Sequence, residues 1–271
     1  MNPASKLSVV TTSYNQAAYI EQTMQSVFKQ SLNCIEYIVV DGGSTDTSHE
    51  IIYRYKDNID VLIIESDRGP ADALNKGFQA ATGDYLAFLN SDDTYDVSFA
   101  EVMLSAIDSS DADLVYSDVR FINAQSLLIE PYRFPLAYAV SVSPKKLFAR
   151  ACVIPQQGSI WSRRIHDAGI RFNIDNHTCW DLEFFVDALC AGFSFHPVHQ
   201  CLSSFRLHDG SISGESLFSG SDHVNSRLQS READHARIRK KLIEHGYECN
   251  NIDVLLLKFD NLLRRASRML C

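Results

Sequence analysis

The sequence lacks the features of exported, membrane-spanning and nucleic-acid-binding proteins. No apolar run approaches the roughly 20 residues that a helix needs to cross a bilayer, and the first residues lack a basic region followed by an apolar stretch. Lys and Arg number 25 against 34 Asp and Glu, so the chain has no basic excess with which to bind nucleic-acid phosphates. We therefore expect a cytoplasmic protein, without a nucleic-acid partner, that holds any phosphate by local groups.

The cysteines are also unsuited to a structural role as cross-links. The chain has seven of them, an odd number, and none lies in a C-x-x-C spacing. This pattern predicts neither a disulfide framework nor a zinc site, and it favours free thiols in a reducing cytosol. A length of 271 residues with 45% hydrophobic content supports a substantial core, enough for one large domain and a short appendage.

The first hundred residues alternate short apolar runs with segments of helical periodicity. Runs that are apolar throughout are typical of parallel strands buried on both faces. The predicted strands are 7–12, 35–40, 61–65 and 85–89, and the predicted helices lie around 19–28, after a capping box of Thr47 and Glu50, and over 71–81. The alternation predicts an α/β fold with a Rossmann-like, mostly parallel central sheet flanked by helices.

A polar loop follows each of these four strands. The loops are 12–15, 41–46, 67–70 and 90–93. Ligands of open α/β sheets bind beside the carboxyl ends of the strands, so we expect the four loops to form one site.

The rest of the chain is predicted to extend this sheet and then leave it. Strand-like runs occur at 114–121, 159–162 and 201–206, with a helix over 181–191. We therefore predict one domain over 1–215, made of a first half (1–110) and a second half (111–215). A C-terminal loop and helical extension would occupy 216–271, beginning with a Gly- and Ser-rich loop to Ser221.

The last predicted helix, over 252–270, is amphipathic and carries basic residues beside its apolar face. Such a helix either lies on a membrane surface, here the inner face, or packs on the domain or on a second copy of the chain. The sequence leaves both alternatives open.

Two adjacent carboxylates, Asp92 and Asp93, follow the fourth predicted strand. Like charges at a sheet edge are costly unless a cation screens them, and a hard divalent metal bridging a pyrophosphate would do so. The alternative is that these residues only cap the next helix.

Four motifs together resemble glycosyltransferase family 2, which has the GT-A fold. They occur in the family's order and spacing over Val9–Asn15, Val39–Asp46, Asp67–Gly77 and Leu89–Asp93, and the similarity covers about residues 5 to 210. The resemblance implies an inverting, metal-dependent enzyme of hexosyltransferase type that takes a sugar from a nucleotide diphosphate, with UDP-sugar as the expected donor. It also implies a saccharide or lipid-linked saccharide acceptor, in bacterial surface polysaccharide or glycolipid synthesis.

The resemblance assigns the donor site to the loops after the strands. Tyr14 would supply an aromatic face for the base, and Asp41 would accept a hydrogen bond from it. Tyr14 could instead be a packing aromatic, Asp41 a turn-forming residue, and Gly69 part of a tight turn into a helix. The implied donor-binding residues are Thr12, Tyr14, Asn15, Asp41, Asp67, Gly69, Asp72 and Asp92.

The resemblance also assigns a Mn²⁺ or Mg²⁺ site. Asp93 is the expected direct ligand, while Asp92 would contact the ribose or share the metal. His208, in the motif 205–211, would ligate the metal or hold a phosphate. The alternative for His208 is an ordinary surface histidine.

Asp181 matches the family's catalytic base, which takes the proton of the acceptor hydroxyl. Trp180 stands where the commoner motif has Glu, and Glu183 is the second choice for the base. An Asp in the first turn of a helix is also a common dipole-satisfying residue. The acceptor side is expected to comprise Gln156, Gln157, Trp180 and Glu183.

Two other functions compete with catalysis by this site. A nucleotide-sugar-binding protein of the same fold could have lost turnover, although both Asp93 and Asp181 are present. A dinucleotide-dependent oxidoreductase would need a glycine-rich first turn, and residues 12–15 contain no glycine, so we set that function aside.

Overall fold

The computed structural model describes residues 5–31, 34–133, 154–211 and 222–247. In these ranges, nine strands form one mixed sheet with helices on both faces. The strands are β1 (Leu7–Ser13), β2 (Ile35–Asp41), β3 (Val61–Ile64), β4 (Tyr85–Phe88), β5 (Thr94–Tyr95), β6 (Leu114–Asn123), β7 (Leu128–Arg133), β8 (Ser159–Ser162) and β9 (Phe195–Leu207). The helices are α1 (Ile20–Phe28), α2 (Ser48–Arg54), α3 (Pro70–Ala80), α4 (Phe99–Ser110), α5 (Arg164–Asp167), α6 (Trp180–Cys190) and α7 (Asp222–Glu244).

The first half of the sheet is parallel, as predicted. Its strand order is β3-β2-β1-β4, and Val10 of β1 pairs with Ile38 on one side and Phe88 on the other. The four predicted strands are confirmed, each ending within one residue of the predicted position. Their carboxyl ends meet at one edge of the sheet, which brings the polar loops together.

The second half extends the same sheet, which confirms the predicted continuation. β8 pairs antiparallel with β4 and with β6, whereas β9 runs parallel to β6. β9 begins at Phe195, earlier than the predicted strand at 201–206, and the two-residue β5 pairs with it. These pairings place the end of β9 beside the loop that follows β4.

Two apolar cores lie on the two faces of the sheet. Successive strand residues point to opposite faces, so Val10 packs in the core that contains α3 and α6, while Val9 packs in the core that contains α1 and α4. Gly77 of α3 has no Cβ, and one placed there would lie 2.4 Å from Val10 Cγ1. A glycine therefore lets α3 lie close against β1.

The predicted capping box before α2 does not form. Thr47 stands at the N-cap but its side chain makes no capping hydrogen bond, and Asp46 Oδ1 instead accepts the Ser48 N–H at 2.9 Å. Asp46 supplies the carboxylate that this helix start needs, and it belongs to the polar loop after β2.

Helix α7 packs against α6 through Ile238 and Leu242, which are buried in the same core. It corresponds to the first of the predicted C-terminal helices. The predicted loop at 212–221 and the predicted amphipathic helix at 252–270 lie outside the described residues. Among the residues placed by the structure, no helix has the length and apolar character required to traverse a membrane.

Candidate active site

A cavity of about 740 Å³ opens at the carboxyl ends of β1, β2 and β4. Three carboxylates, three glutamines and several aromatic rings line it together with loop backbone. Its described lining residues are Thr12, Ser13, Tyr14, Gln16, Gly42, Gly43, Ser66, Asp67, Gly69, Pro70, Ala73, Phe88, Asn90, Ser91, Asp92, Gln156, Gln157, Thr178, Trp180, Asp181, Phe205, Gly210 and Ser211. The loops that the sequence predicted to converge do meet at this cavity.

The loop after β1 contributes Thr12 and Tyr14 to the cavity. Tyr14 is 59% exposed, so it is not a packing aromatic and its ring is available to a ligand. Asn15 has a left-handed backbone (φ 54°), a conformation that Asn tolerates better than most residues. Its Oδ1 accepts the Thr45 N–H at 2.8 Å, so Asn15 ties this loop to the next one and does not line the cavity.

Asp41 is buried beneath the loop after β2. Its Oδ1 accepts the N–H groups of Gly43 (3.1 Å) and Ser44 (2.8 Å), and its Oδ2 accepts the Ser44 hydroxyl at 2.7 Å. Asp41 therefore holds the turn, and the backbone of Gly42 and Gly43 lines the cavity in its place. This geometry corresponds to the turn-forming alternative.

The loop after β3 presents Asp67 to the cavity. Asp67 Oδ1 accepts the Gly69 N–H at 2.8 Å, and a Cβ on Gly42 would lie 2.3 Å from Asp67 Oδ2. Gly69 has φ +123° and precedes the start of α3. Asp72 does not line the cavity, since its Oδ2 accepts the Arg68 N–H at 3.0 Å and faces Lys76.

Asp92 and Asp93 have different surroundings. Asp92 lines the cavity, whereas Asp93 is completely buried: its Oδ1 accepts the Arg206 N–H at 2.8 Å and its Oδ2 accepts Gln157 Nε2 at 2.9 Å. Burial raises the pKa of Asp93 well above its usual range, and the negative charge of Asp92 adds to this. Both carboxylate oxygens of Asp93 therefore accept hydrogen bonds from protein groups, and Asp93 itself does not line the cavity. Direct binding of a metal by Asp93 stays a prediction.

The residues after Asp93 form β5 and not a helix, so neither carboxylate caps one. The next helix, α4, begins only at Phe99. The capping alternative for this pair is therefore wrong.

His208 lies beside Asp92, at the end of β9. Its Nε2 is 3.0 Å from Asp92 Oδ2, its side chain is only 9% exposed, and its ring packs on Tyr19 with centroids 4.5 Å apart. It is therefore not an ordinary surface histidine. A carboxylate oxygen and an imidazole nitrogen are both ligand types that Mn²⁺ accepts.

No group of three or more His, Cys, Asp or Glu side chains suited to a metal ion occurs within the described ranges. Asp92 and His208 are a pair and not such a group, and of the two only Asp92 lines the cavity. Sites that bind a nucleotide's metal commonly have one or two carboxylates and complete the coordination with phosphate oxygens and water.

Arg206, which the sequence analysis did not single out, supports this pair. Its guanidinium is completely buried and donates to the carbonyl oxygens of Asp92 (2.7 Å) and Asn123 (3.1 Å) and to Gln22 Oε1 (2.7 Å). It lies on β9, two residues before His208, so the arginine at 206 within the motif 205–211 was the available signal.

Asp181, in the first turn of α6, also lines the cavity. Its Oδ1 accepts the Leu182 N–H at 2.8 Å, and burial raises the pKa of its carboxyl. Trp180 also lines the cavity, as do the buried Gln156 and Gln157. Gln156 Nε2 donates to the Phe88 carbonyl at 2.7 Å.

Glu183 does not reach the cavity. It is 3% exposed and its Oε2 accepts hydrogen bonds from Asn176 (2.8 Å), Asn173 (3.1 Å) and Arg237 of α7 (2.8 Å). A residue two positions after Asp181 lies on a different face of the helix, so Glu183 faces α7. Its expected place at the acceptor side is not what the structure shows.

The sequence matches a known family over most of this fold. The profile of Glycosyl transferase family 2 matches residues 8–188. An uncharacterized glycosyltransferase of Nostoc sp., alr2836, is 31% identical over 159 residues, covering 58% of this chain and 47% of that protein, so the match spans about half of its length. The putative teichuronic acid biosynthesis glycosyltransferase TuaG of Bacillus subtilis is 29% identical over 210 residues, covering 76% of this chain and 81% of TuaG.

Solved structures share the fold. TarS 1–349 of S. aureus in complex with UDP-GlcNAc superposes with a TM-score of 0.65 at 17% identity, covering 89% of this chain and 72% of that one. The mannosyltransferase PcManGT of Pyrobaculum calidifontis in complex with GDP-Man and Mn²⁺ gives a TM-score of 0.62 at 14% identity, covering 97% of this chain and 81% of that one.

Proposed function

Because this chain belongs to Glycosyl transferase family 2, we propose that it transfers a sugar from a nucleotide diphosphate sugar to an acceptor hydroxyl, with inversion at the anomeric carbon. The observation that carries the proposal is the cavity itself. It lies at the carboxyl ends of the parallel strands and presents Asp67, Asp92 and Asp181 on its walls. The donor would occupy the side of the strand loops, with its base against Tyr14.

The charge of the cavity supports a metal-dependent reaction. Its described lining residues include no Lys or Arg, so a diphosphate entering among three carboxylates needs another positive charge. Asp92 and His208 would hold Mn²⁺ or Mg²⁺, and the bound ion would neutralise the charge that develops on the departing diphosphate. The neighbour PcManGT, whose structure contains GDP-Man and Mn²⁺, supports the use of a divalent metal.

Asp181 is the proposed general base. It would accept the proton of the acceptor hydroxyl while the acceptor oxygen bonds to the anomeric carbon and the bond from that carbon to the diphosphate breaks. A single carboxylate acting in one displacement gives inversion. The raised pKa of Asp181 makes its carboxylate a stronger base than an exposed aspartate.

The donor and acceptor classes follow from the relatives. We propose a UDP-sugar donor, since TarS binds UDP-GlcNAc, and an acceptor in bacterial surface polysaccharide or glycolipid synthesis, since TuaG is named for teichuronic acid biosynthesis. A cytoplasmic location, and contact of residues 252–270 with the inner membrane face or a second copy, remain predictions.

The test is a panel of UDP- and GDP-sugars assayed for metal-dependent release of the nucleotide, with wild type and Asp181→Asn compared. We expect turnover by wild type and at least ~100-fold slower turnover by the variant, because general base catalysis contributes about that much. Donor affinity should be kept in the variant.

Three outcomes distinguish the alternatives. Near-normal turnover by Asp181→Asn would remove Asp181 from the role of base. Binding of a nucleotide sugar by wild type without turnover in the presence of acceptor extracts would favour the inactive binding protein. Absence of any binding would contradict the proposed function.

A further inference from the structure

Helix α7 contacts residues on either side of Asp181, namely Thr178 and Glu183. It does so although it lies beyond residues 8–188, which match the family. Its side chains reach the segment that leads into α6. Thr178, which lines the cavity, donates its hydroxyl to Asp234 Oδ2 at 2.7 Å. Arg237 joins Asp234 to Glu183, with Nη1 2.9 Å from Asp234 Oδ1 and Nη2 2.8 Å from Glu183 Oε2. One ion-pair network thus binds both the entry and the first turn of α6.

The network occupies the side of this turn opposite the proposed base. Asp181 and Glu183 are two residues apart, which on a helix turns their side chains to different faces. Asp181 faces the cavity, and Glu183 is buried against α7. The position of the Asp181 carboxylate relative to the cavity therefore depends on what holds Glu183.

The network is built to keep Glu183 ionised. Burial acts to raise the pKa of Glu183, but the hydrogen bonds from Arg237 and Asn176 outweigh it, so that the pKa is lowered. Asn176 also accepts the N–H groups of Thr178 (3.1 Å) and Cys179 (3.0 Å), which places it at the start of α6. A buried charge whose partner is removed must move or find water, and the turn that carries it would shift with it.

We propose that Asp234 and Arg237 are positioning residues, which hold the first turn of α6 through Thr178 and Glu183 so that Asp181 meets the acceptor hydroxyl. The proposal rests on the proposed function of Asp181 as base. It gives α7 a part in transfer, although no described residue of α7 lines the cavity.

The test compares Arg237→Gln with Arg239→Gln, which removes the same charge from an exposed position of the same helix. We expect kcat of Arg237→Gln to fall by about 10- to 100-fold, because displacement of a reacting group by about 1 Å has costs of that order. The KM for the nucleotide sugar should stay unchanged, since the donor loops are untouched. Arg237→Lys should recover most of the rate, and Arg239→Gln should behave as wild type.

The outcomes separate this proposal from the proposed function. If the wild-type protein is active and Arg237→Gln has the same kcat, the positioning role is overturned and the proposed function is not. Equal losses of donor affinity and kcat would overturn it too, because they indicate general damage. If thermal unfolding shows that Arg237→Gln does not fold, Asp234→Asn, which keeps the side-chain shape, gives the same comparison. A wild type without transfer would overturn the proposed function itself.

Discussion

Glu36 is a buried carboxylate near the start of β2, at the edge of the sheet away from the cavity. It accepts hydrogen bonds from Lys6 Nζ (2.8 Å), Ser8 Oγ (2.5 Å), and the Thr82 N–H (2.7 Å) and hydroxyl (2.6 Å). Burial acts to raise its pKa, but these donors outweigh that effect and lower the pKa to about 2. Glu36 thereby joins β1, β2 and the turn before β4.

The first prediction concerns the dependence of stability on pH. A folded pKa of about 2 against an ordinary value of 4.5 means that Glu36 stabilises the fold above pH 4.5, and that this contribution is lost as the pH falls towards 2. Its upper limit is about 3 kcal/mol, reduced because Lys6 is half exposed. Glu36→Gln should therefore lower the free energy of unfolding by about 2 kcal/mol at pH 7, and by much less near pH 2.5.

Urea unfolding at the two pH values measures this difference. The control is Glu65→Gln, which removes an exposed carboxylate that pairs with Lys76 and should cost little. An equal loss for Glu36→Gln at both pH values would show that the charge of Glu36 is not what stabilises the fold.

The residues of the site could be found in the sequence, but the direction of each side chain could not. Thr12, Tyr14, Asp67, Asp92 and Asp181 line the cavity, as the motifs indicated. The different surroundings of two adjacent aspartates could not be predicted. They are set by Gln157 and Arg206, which lie 64 and 113 residues from Asp93 in the sequence.

At the scale of secondary structure elements, α3 and β1 illustrate how closely the first half is packed. Gly77 faces Val10 Cγ1 and Val40 Cγ2, at distances of 2.4 and 3.2 Å from where a Cβ would stand. Both valines are fully buried, so neither can move aside without disturbing the sheet.

The second prediction is therefore that Gly77→Ala destabilises the protein. Overpacking costs about 1–3 kcal/mol, while the better helix propensity of Ala returns up to about 1 kcal/mol. We expect a net loss of about 1–2 kcal/mol in urea unfolding. In a double-mutant cycle with Val10→Ala, the combined loss should be smaller than the sum of the two by about 1 kcal/mol.

Additive losses in this cycle would mean that α3 shifts away and that the contact with Val10 does not limit its approach. Donor affinity offers a second measurement, because α3 begins at the loop that contains Asp67 and Gly69. A shift of α3 should weaken donor affinity.

Elements were predictable where their own residues decide their structure. The apolar runs of β1 and β2 form strands within one residue of the predicted bounds, because a strand buried on both faces is apolar throughout. The short strands β5 and β7 could not be predicted, because their pairing depends on β9 and β6. The missing capping box before α2 has the same cause: Asp46, placed by the loop, competes with Thr47.

At the scale of the whole molecule, charge sets a condition on ligand binding. The chain carries a net charge of −9, and the described residues that line the cavity include three of its carboxylates but no Lys or Arg. A free nucleotide diphosphate therefore approaches a protein of its own sign. Ion and diphosphate should bind as one unit, since each supplies the charge that the other needs.

The third prediction is that UDP and Mn²⁺ stabilise the folded protein only together. Ligand at 100 times its Kd adds about 2.7 kcal/mol, which for a chain of this size raises Tm by about 5–10 °C. UDP with a chelator should give little shift, and Asp92→Asn should abolish the joint shift because it removes the carboxylate beside His208. Asp181→Asn should keep the full shift, since a base for the acceptor hydroxyl does not hold the diphosphate. An equal rise of Tm with UDP in the presence of chelator would show that the backbone of the loops suffices to bind the diphosphate, and the proposed ligands would then have no part in donor binding.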